Sequence, residues 1–178
     1  MTAMITIITV ERRTRLSPRE TGALSFSAVQ LPVMEKVVTT LEEFGAEAAR
    51  LADTLAPSPQ GATLVTLSGE LGAGKTAFTK AVARALGVDE TVTSPTFVLE
   101  KIYALSDGKH FDRLVHIDAY RLETGADLAP LGFDELMRDS GNLVLLEWPE
   151  QVSDALPHPA VRISIVAQPD GSRTISYG

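Results

Sequence analysis

Gly69-Glu70-Leu71-Gly72-Ala73-Gly74-Lys75-Thr76 places glycines, a lysine and a hydroxyl in the spacing G-x-x-x-x-G-K-[ST], with a further glycine at Gly72. That spacing suits one task, holding the phosphate chain of a nucleotide. Glycines take φ values closed to bulkier residues, so successive N–H groups turn inward at phosphate oxygens, and a following helix adds its positive end. Lys75 then bridges the β- and γ-phosphates, and the Thr76 hydroxyl ligates Mg²⁺. A surface turn holding this pattern by chance arises in fewer than about one in a hundred chains of this length.

Such a loop needs a carboxylate at the end of a neighbouring strand, because Mg²⁺ prefers oxygen ligands and keeps several of its waters. Two residues have that form: Asp118 ends Leu114-Val115-His116-Ile117, and Glu147 ends Leu143-Val144-Leu145-Leu146. Ser94-Pro95-Thr96 presents two hydroxyls on a connection stiffened by Pro95, a segment suited to sensing the γ-phosphate. Trp148, the sole tryptophan, follows Glu147 and reads as a core or rim aromatic. His110, His116 and His158 lack metal-ligand spacing and read as structural, and Glu42, Glu43 and Glu47 read as a solvated helix face.

The elements that must position these groups alternate. Lys36-Val37-Val38-Thr39 has the form of an edge strand, and Thr40 with Glu43 fits a capping box. Leu41, Phe44, Ala48, Leu51, Ala52 and Leu55 then recur at helical spacing until Pro57-Ser58-Pro59. Leu64-Val65-Thr66-Leu67 precedes the glycine loop, and Phe78, Ala81, Val82, Ala85 and Leu86 mark one face of the helix after it. Phe97-Val98-Leu99, Leu114–Ile117 and Leu143–Leu146 read as strands covered on both faces. Val161, Ile163 and Ile165 alternate with polar residues, and Pro169-Asp170-Gly171 turns the chain before Thr174-Ile175-Ser176-Tyr177. The expected architecture is α/β: a P-loop NTPase-type, mostly parallel sheet flanked by helices, with a C-terminal antiparallel edge hairpin. Residues 1–33 read as a flexible N-terminal extension and 34–178 as the P-loop domain.

Composition narrows the partners. The 178 residues carry 16 basic and 23 acidic side chains, a net charge of −7, opposite in sign to what tracks a phosphate backbone. Zero cysteines exclude disulfides, thiolate metal sites and cysteine nucleophiles, and fit a reducing, cytoplasmic setting. No apolar run approaches the roughly 18–20 residues that span a bilayer, so no membrane role is expected.

Four segments in order, Ser68 through Thr76, Ser94-Pro95-Thr96-Phe97, His116-Ile117-Asp118-Ala119-Tyr120-Arg121-Leu122 and Leu146-Glu147-Trp148-Pro149, together resemble the bacterial TsaE (YjeE) family. The resemblance covers roughly Lys36 to Tyr177. It implies a Mg²⁺-dependent ATPase of the tRNA threonylcarbamoyladenosine system. By the same resemblance, the residues matching Thr76 and Glu147 hold Mg²⁺, and the one matching Asp118 supports hydrolysis. It also implies TsaD-like and TsaB-like partners, which install threonylcarbamoyl on the adenosine beside the anticodon, while ATP hydrolysis resets their complex. Contact with tRNA is then indirect, through the complex. Ser94, Pro95, Thr96, Tyr120, Arg121 and Trp148 are the positions expected to couple nucleotide state to partners. Glu70 stands where aspartate is frequent in the family and Ala119 where a bulkier apolar residue is frequent; neither change removes a required group. Two rival readings share the loop: a small-molecule kinase, disfavoured by the arginine-poor stretch from Glu123 to Asn142, and a module in which ATP only cements an assembly.

Overall fold

The computed structural model describes residues 34–88, 92–93, 95, 98–105 and 110–178. The expected extension over residues 1–33 lies outside them, as do Ser94, Thr96 and Phe97. Among the described residues no helix is long and apolar enough to cross a membrane.

Strand β1 (Met34–Val38) and helix α1 (Leu41–Thr54) come first, then β2 (Thr63–Ser68) and α2 (Lys75–Ala85). Next are β3 (Glu100–Ala104), β4 (Arg113–Asp118), a 3-10 helix over Gly125–Leu131, and α3 (Phe133–Arg138). The chain continues through β5 (Asn142–Glu147), a 3-10 turn over Pro149–Val152, β6 (Val161–Ala167) and β7 (Arg173–Tyr177). One sheet orders these strands β1-β7-β6-β2-β5-β4-β3. Its centre is parallel, β6 beside β2, β2 beside β5 and β5 beside β4, while β3 and β7 run antiparallel to their neighbours. The expected C-terminal hairpin is β6–β7, and the expected edge strand is β1, which caps that hairpin by pairing antiparallel with β7.

The continuous apolar strands are buried because both faces of the sheet are covered. One face sets Val65, Leu67, Leu114, Leu143 and Leu145 against α1 and α2, whose rings Phe44 and Phe78 meet edge to face at 5.4 Å. The other packs Leu64, Val115, Ile117, Val144 and Leu146 on Leu128, Phe133 and Val152. The capping box forms as expected: the Glu43 N–H donates to Thr40 Oγ1 at 3.1 Å, and the Thr40 N–H to Glu43 Oε2 at 3.3 Å.

Three expectations are corrected. Of the expected strand Phe97-Val98-Leu99, the described residues Val98 and Leu99 are not extended: their N–H groups both donate to the Pro95 carbonyl in a turn, and Leu99 takes φ +67°. Strand β3 begins at Glu100, directly after Leu99, and is antiparallel; its polar start, Glu100-Lys101, hid it from an apolar-run reading. Leu41 is 80% exposed, because it occupies the first turn, ahead of the part of α1 that packs on α2. Glu47 is buried rather than solvated, since its carboxylate accepts from the Arg50 guanidinium and, at 2.7 Å, from the Tyr177 hydroxyl on β7.

That last cluster ties α1 to the end of the sheet. The Arg50 hydrogen bond holds the Glu47 carboxyl below its ordinary 4.5, with help from Tyr177 and against the opposing effect of burial. A depressed carboxylate stabilises the fold fully above the unfolded-state value and loses that contribution as pH falls through the folded-state value. Glu47→Gln is therefore expected to cost on the order of 1.5 kcal/mol at pH 7, read by urea denaturation, with the gap to the parent closing below pH 4.5. A gap that stays constant on acidification would show that the carboxylate charge contributes nothing.

Candidate functional site

Strand β2 ends at Ser68 and the chain turns through Gly69–Gly74 into α2, which begins at Lys75. Two glycines make this passage possible. Gly69 has φ +142°, and a β-carbon there would lie 2.3 Å from the Ile165 carbonyl oxygen on β6. Gly74 caps α2 at φ +116°, with its α-carbon facing the Phe44 ring, which an added β-carbon would meet at 3.2 Å. The loop therefore leaves the sheet tight against β6 and enters the helix in a conformation that side chains oppose.

Sheet register then brings the two expected carboxylates together. Asp118 and Glu147 are direct partners across β4 and β5, and Glu147 also opposes Leu67 on β2. Both lie at the C-terminal ends of parallel strands, the rim from which the glycine loop departs and where α/β sheets bind ligands. Glu147 is 2% exposed, and its two oxygens are divided between elements. Oε2 accepts from the Thr76 hydroxyl at 2.9 Å, while Oε1 accepts from Thr79 at 3.4 Å and lies 2.7 Å from His116 Nε2. Asp118 is also buried; its Oδ1 accepts the Tyr120 N–H at 3.1 Å, and its own N–H donates to the Leu99 carbonyl at 3.0 Å.

Lys75 is folded back on its own loop. Its ammonium donates to the Gly69 carbonyl at 2.6 Å and the Glu70 carbonyl at 3.0 Å, and lies 3.6 Å from the centre of the Trp148 ring. Trp148 reaches that position from a left-handed backbone, φ +62°, its N–H donated to the Leu67 carbonyl at the end of β2. Tyr120 tilts against the same indole at 5.0 Å. Burial pushes the Lys75 ammonium below its ordinary pKa, and the Glu147, Glu150 and Asp118 carboxylates oppose that shift.

Leu71, Gly72, Gly74, Lys75, Thr76, Asp118, Tyr120, Glu147 and Trp148 line one cavity of about 260 Å³, together with Ala77. Gly69, Glu70 and Ala73 contribute backbone instead: two carbonyls to Lys75, and the Ala73 N–H to the Glu70 carbonyl at 3.1 Å. A second cavity, about 370 Å³, shares Gly72, Gly74 and Ala77 with the first and runs on to Val38, Thr39, Thr40, Leu41, Phe44 and Arg173. Arg121 is exposed and outside the lining of either cavity. Pro95 is buried, and the turn it starts ends at Leu99, whose carbonyl bonds to Asp118.

Sequence reasoning missed His116 and Thr79. The signals were present: His116 is the one polar residue inside a strand run otherwise apolar from Leu114 to Ile117, and Thr79 follows Thr76 by three residues on the same helix face.

A parallel-centred sheet, a glycine loop opening a helix, and two strand-end carboxylates define a phosphate-loop α/β protein. The chain belongs to the TsaE family, whose model, threonylcarbamoyl adenosine biosynthesis protein TsaE, matches residues 39–175. It is 40% identical over 114 residues to the tRNA threonylcarbamoyladenosine biosynthesis protein TsaE of Treponema pallidum, covering 64% of this chain and 80% of that one. The Streptomyces coelicolor TsaE is 44% identical over 104 residues, 57% of this chain and 67% of that one. The crystal structure of Bacillus subtilis YdiB superposes with a TM-score of 0.64 at 30% identity, covering 82% of this chain and 84% of that one. The resemblance read from the four motifs holds, and the family role is in tRNA threonylcarbamoyladenosine biosynthesis.

The loop geometry carries its own test. Gly69→Ala sets a β-carbon against the Ile165 carbonyl and forces a strained φ, at a cost of about 1–3 kcal/mol. A lowered urea midpoint with an unchanged denaturant slope is expected; an unchanged midpoint would mean the loop can leave β6 freely.

Proposed function

We infer that this chain is a Mg²⁺-dependent ATPase serving threonylcarbamoyladenosine synthesis on tRNA. The observation that carries the reading is the convergence of Lys75, Thr76, Asp118 and Glu147 on one cavity beneath the glycine loop. The donor set fits the metal: a threonine hydroxyl and two carboxylates are hard oxygen groups of the kind Mg²⁺ takes while retaining waters. Thr76 and Glu147 would hold it, and Mg²⁺ so bound would neutralise charge on the transferring phosphoryl group.

The chain's own residues account for the rest. Loop N–H groups cradle the phosphates, and the Lys75 ammonium exchanges the Gly69 and Glu70 carbonyls for β- and γ-phosphate oxygens. Asp118, held by the Tyr120 N–H, orients the attacking water; no side chain attacks. Base and ribose extend into the second cavity, which continues past Gly72 and Gly74 to the Phe44 ring and Arg173. Phosphoryl transfer gains from an added cation, and Arg121, next to Tyr120 in the chain, is the group that docking of TsaD- and TsaB-like partners brings in. The net charge of −7 supports leaving tRNA to those partners, and the lack of cysteine fits a cytoplasmic setting.

Reconstituted tRNA modification tests this reading. With partners and tRNA present, the parent chain should release phosphate to water and sustain repeated rounds, while Lys75→Ala and Glu147→Ala lower turnover by on the order of a hundredfold. Modification that survives loss of hydrolysis in Glu147→Ala would make ATP an assembly cement, and phosphate appearing on a small-molecule acceptor would make the chain a kinase. Turnover equally fast with and without partners would remove Arg121 and docking from the mechanism.

A further inference from the structure

His116 sits in the middle of a strand, fully buried, with Leu145 of β5 on one side and Lys101 of β3 on the other. A histidine kept for packing has both ring nitrogens satisfied. Here Nε2 meets Glu147 Oε1 at 2.7 Å, and Nδ1 has no hydrogen-bond partner among the described residues. The ring's polar chemistry is spent on one carboxylate oxygen, and an orphaned nitrogen is tolerated to keep that contact.

The other oxygen shows what the contact accomplishes. Glu147 hangs from a strand end and, without His116, would keep only the long 3.4 Å bond from Thr79 on Oε1, so its last torsion, broad by nature, would be loosely held. With Nε2–H donated to Oε1, and Thr79 beside it, that oxygen is fixed within the protein. Oε2 is then presented at the hydroxyl of Thr76, which with Glu147 lines the cavity. We propose that His116 is a positioning residue, orienting the Glu147 carboxylate so that Oε2 and Thr76 Oγ1 form one preset pair for a divalent cation. The inference rests on the reading of Glu147 as a metal-holding group, and it adds the partner that fixes it, as ligating groups elsewhere are fixed by hydrogen bonds from behind.

The test uses Mn²⁺ as the probe, with uptake by the ADP-bound full chain read from the electron paramagnetic resonance of free Mn²⁺. His116→Leu, which removes the donor, should weaken Mn²⁺ affinity about tenfold or more, and His116→Gln, which restores an amide donor, should return it to within about threefold. ADP affinity without metal should be unchanged in both, which a general loss of structure would not allow. In the parent chain, the imidazole N–H signal of His116 should shift between ADP alone and ADP with Mg²⁺, while those of His110 and His158 stay still; this measurement decides the matter if His116→Leu does not fold. Equal Mn²⁺ affinity in His116→Leu, or a His116 signal indifferent to Mg²⁺, overturns the positioning role alone. No Mn²⁺ uptake by the parent chain overturns the metal reading of Glu147, and the role of His116 with it.

Discussion

One buried carboxylate holds the site together. Glu147 ends a central strand at 2% exposure, and removing such a charge from water costs several kcal/mol unless donors surround it. Those donors come from two other elements: Thr76 and Thr79 on α2, and His116 on β4. The demand for satisfaction therefore fixes α2 against the strand ends, and with α2 the glycine loop that opens it. The same register that places Glu147 beside Asp118 makes the second carboxylate a neighbour at no additional ordering cost.

The loop is held by similar logic. A lysine at 4% exposure needs acceptors, and in the described structure it takes them from Gly69 and Glu70 while the Trp148 ring covers its outer side. The left-handed backbone of Trp148 is the cost of that cover, of order 1–3 kcal/mol, and the Leu67 carbonyl and Pro149 on either side keep it in place. On the proposed reading these carbonyls are weaker acceptors than phosphate oxygens, so the lysine would exchange one set for the other without being trapped.

Much of this was legible in the sequence, and the limits have physical causes. The loop, both carboxylates, the capping box and the terminal hairpin are local patterns, each set by a few adjacent residues. Buried polar residues are not local. Glu47 looks solvated on a helical wheel because its partner Tyr177 is 130 positions away, and His116 looks like a core histidine because Glu147 is 31 away. Strand β3 was lost for a related reason: an edge strand with Glu100, Lys101 and half-exposed Ile102 has no apolar run to show. Among the expected coupling residues, Tyr120 and Trp148 meet at a tilt within the lining of the site, whereas Arg121 is outside that lining, a distinction that adjacency in sequence conceals.

Charge decides the order of events at this site on the proposed reading. The cavity carries Asp118 and Glu147, with Glu150 near enough to act on Lys75, against one ammonium. A triphosphate brings several negative charges to a place whose fixed side chains already sum to a negative value, and Coulomb repulsion at such separations is worth kcal/mol rather than tenths. The loop amides and the end of α2 offset part of it through partial charges, which suffices for phosphate groups lying along the loop but not for the terminal one beside two carboxylates. Tight triphosphate binding and cation binding are consequently one linked equilibrium: each neutralises what opposes the other, and a site built from carboxylates alone would hold neither well. Losing the terminal phosphate removes part of that mutual attraction, which gives hydrolysis a direct means of loosening whatever surface the loop, Tyr120 and Trp148 present to a partner.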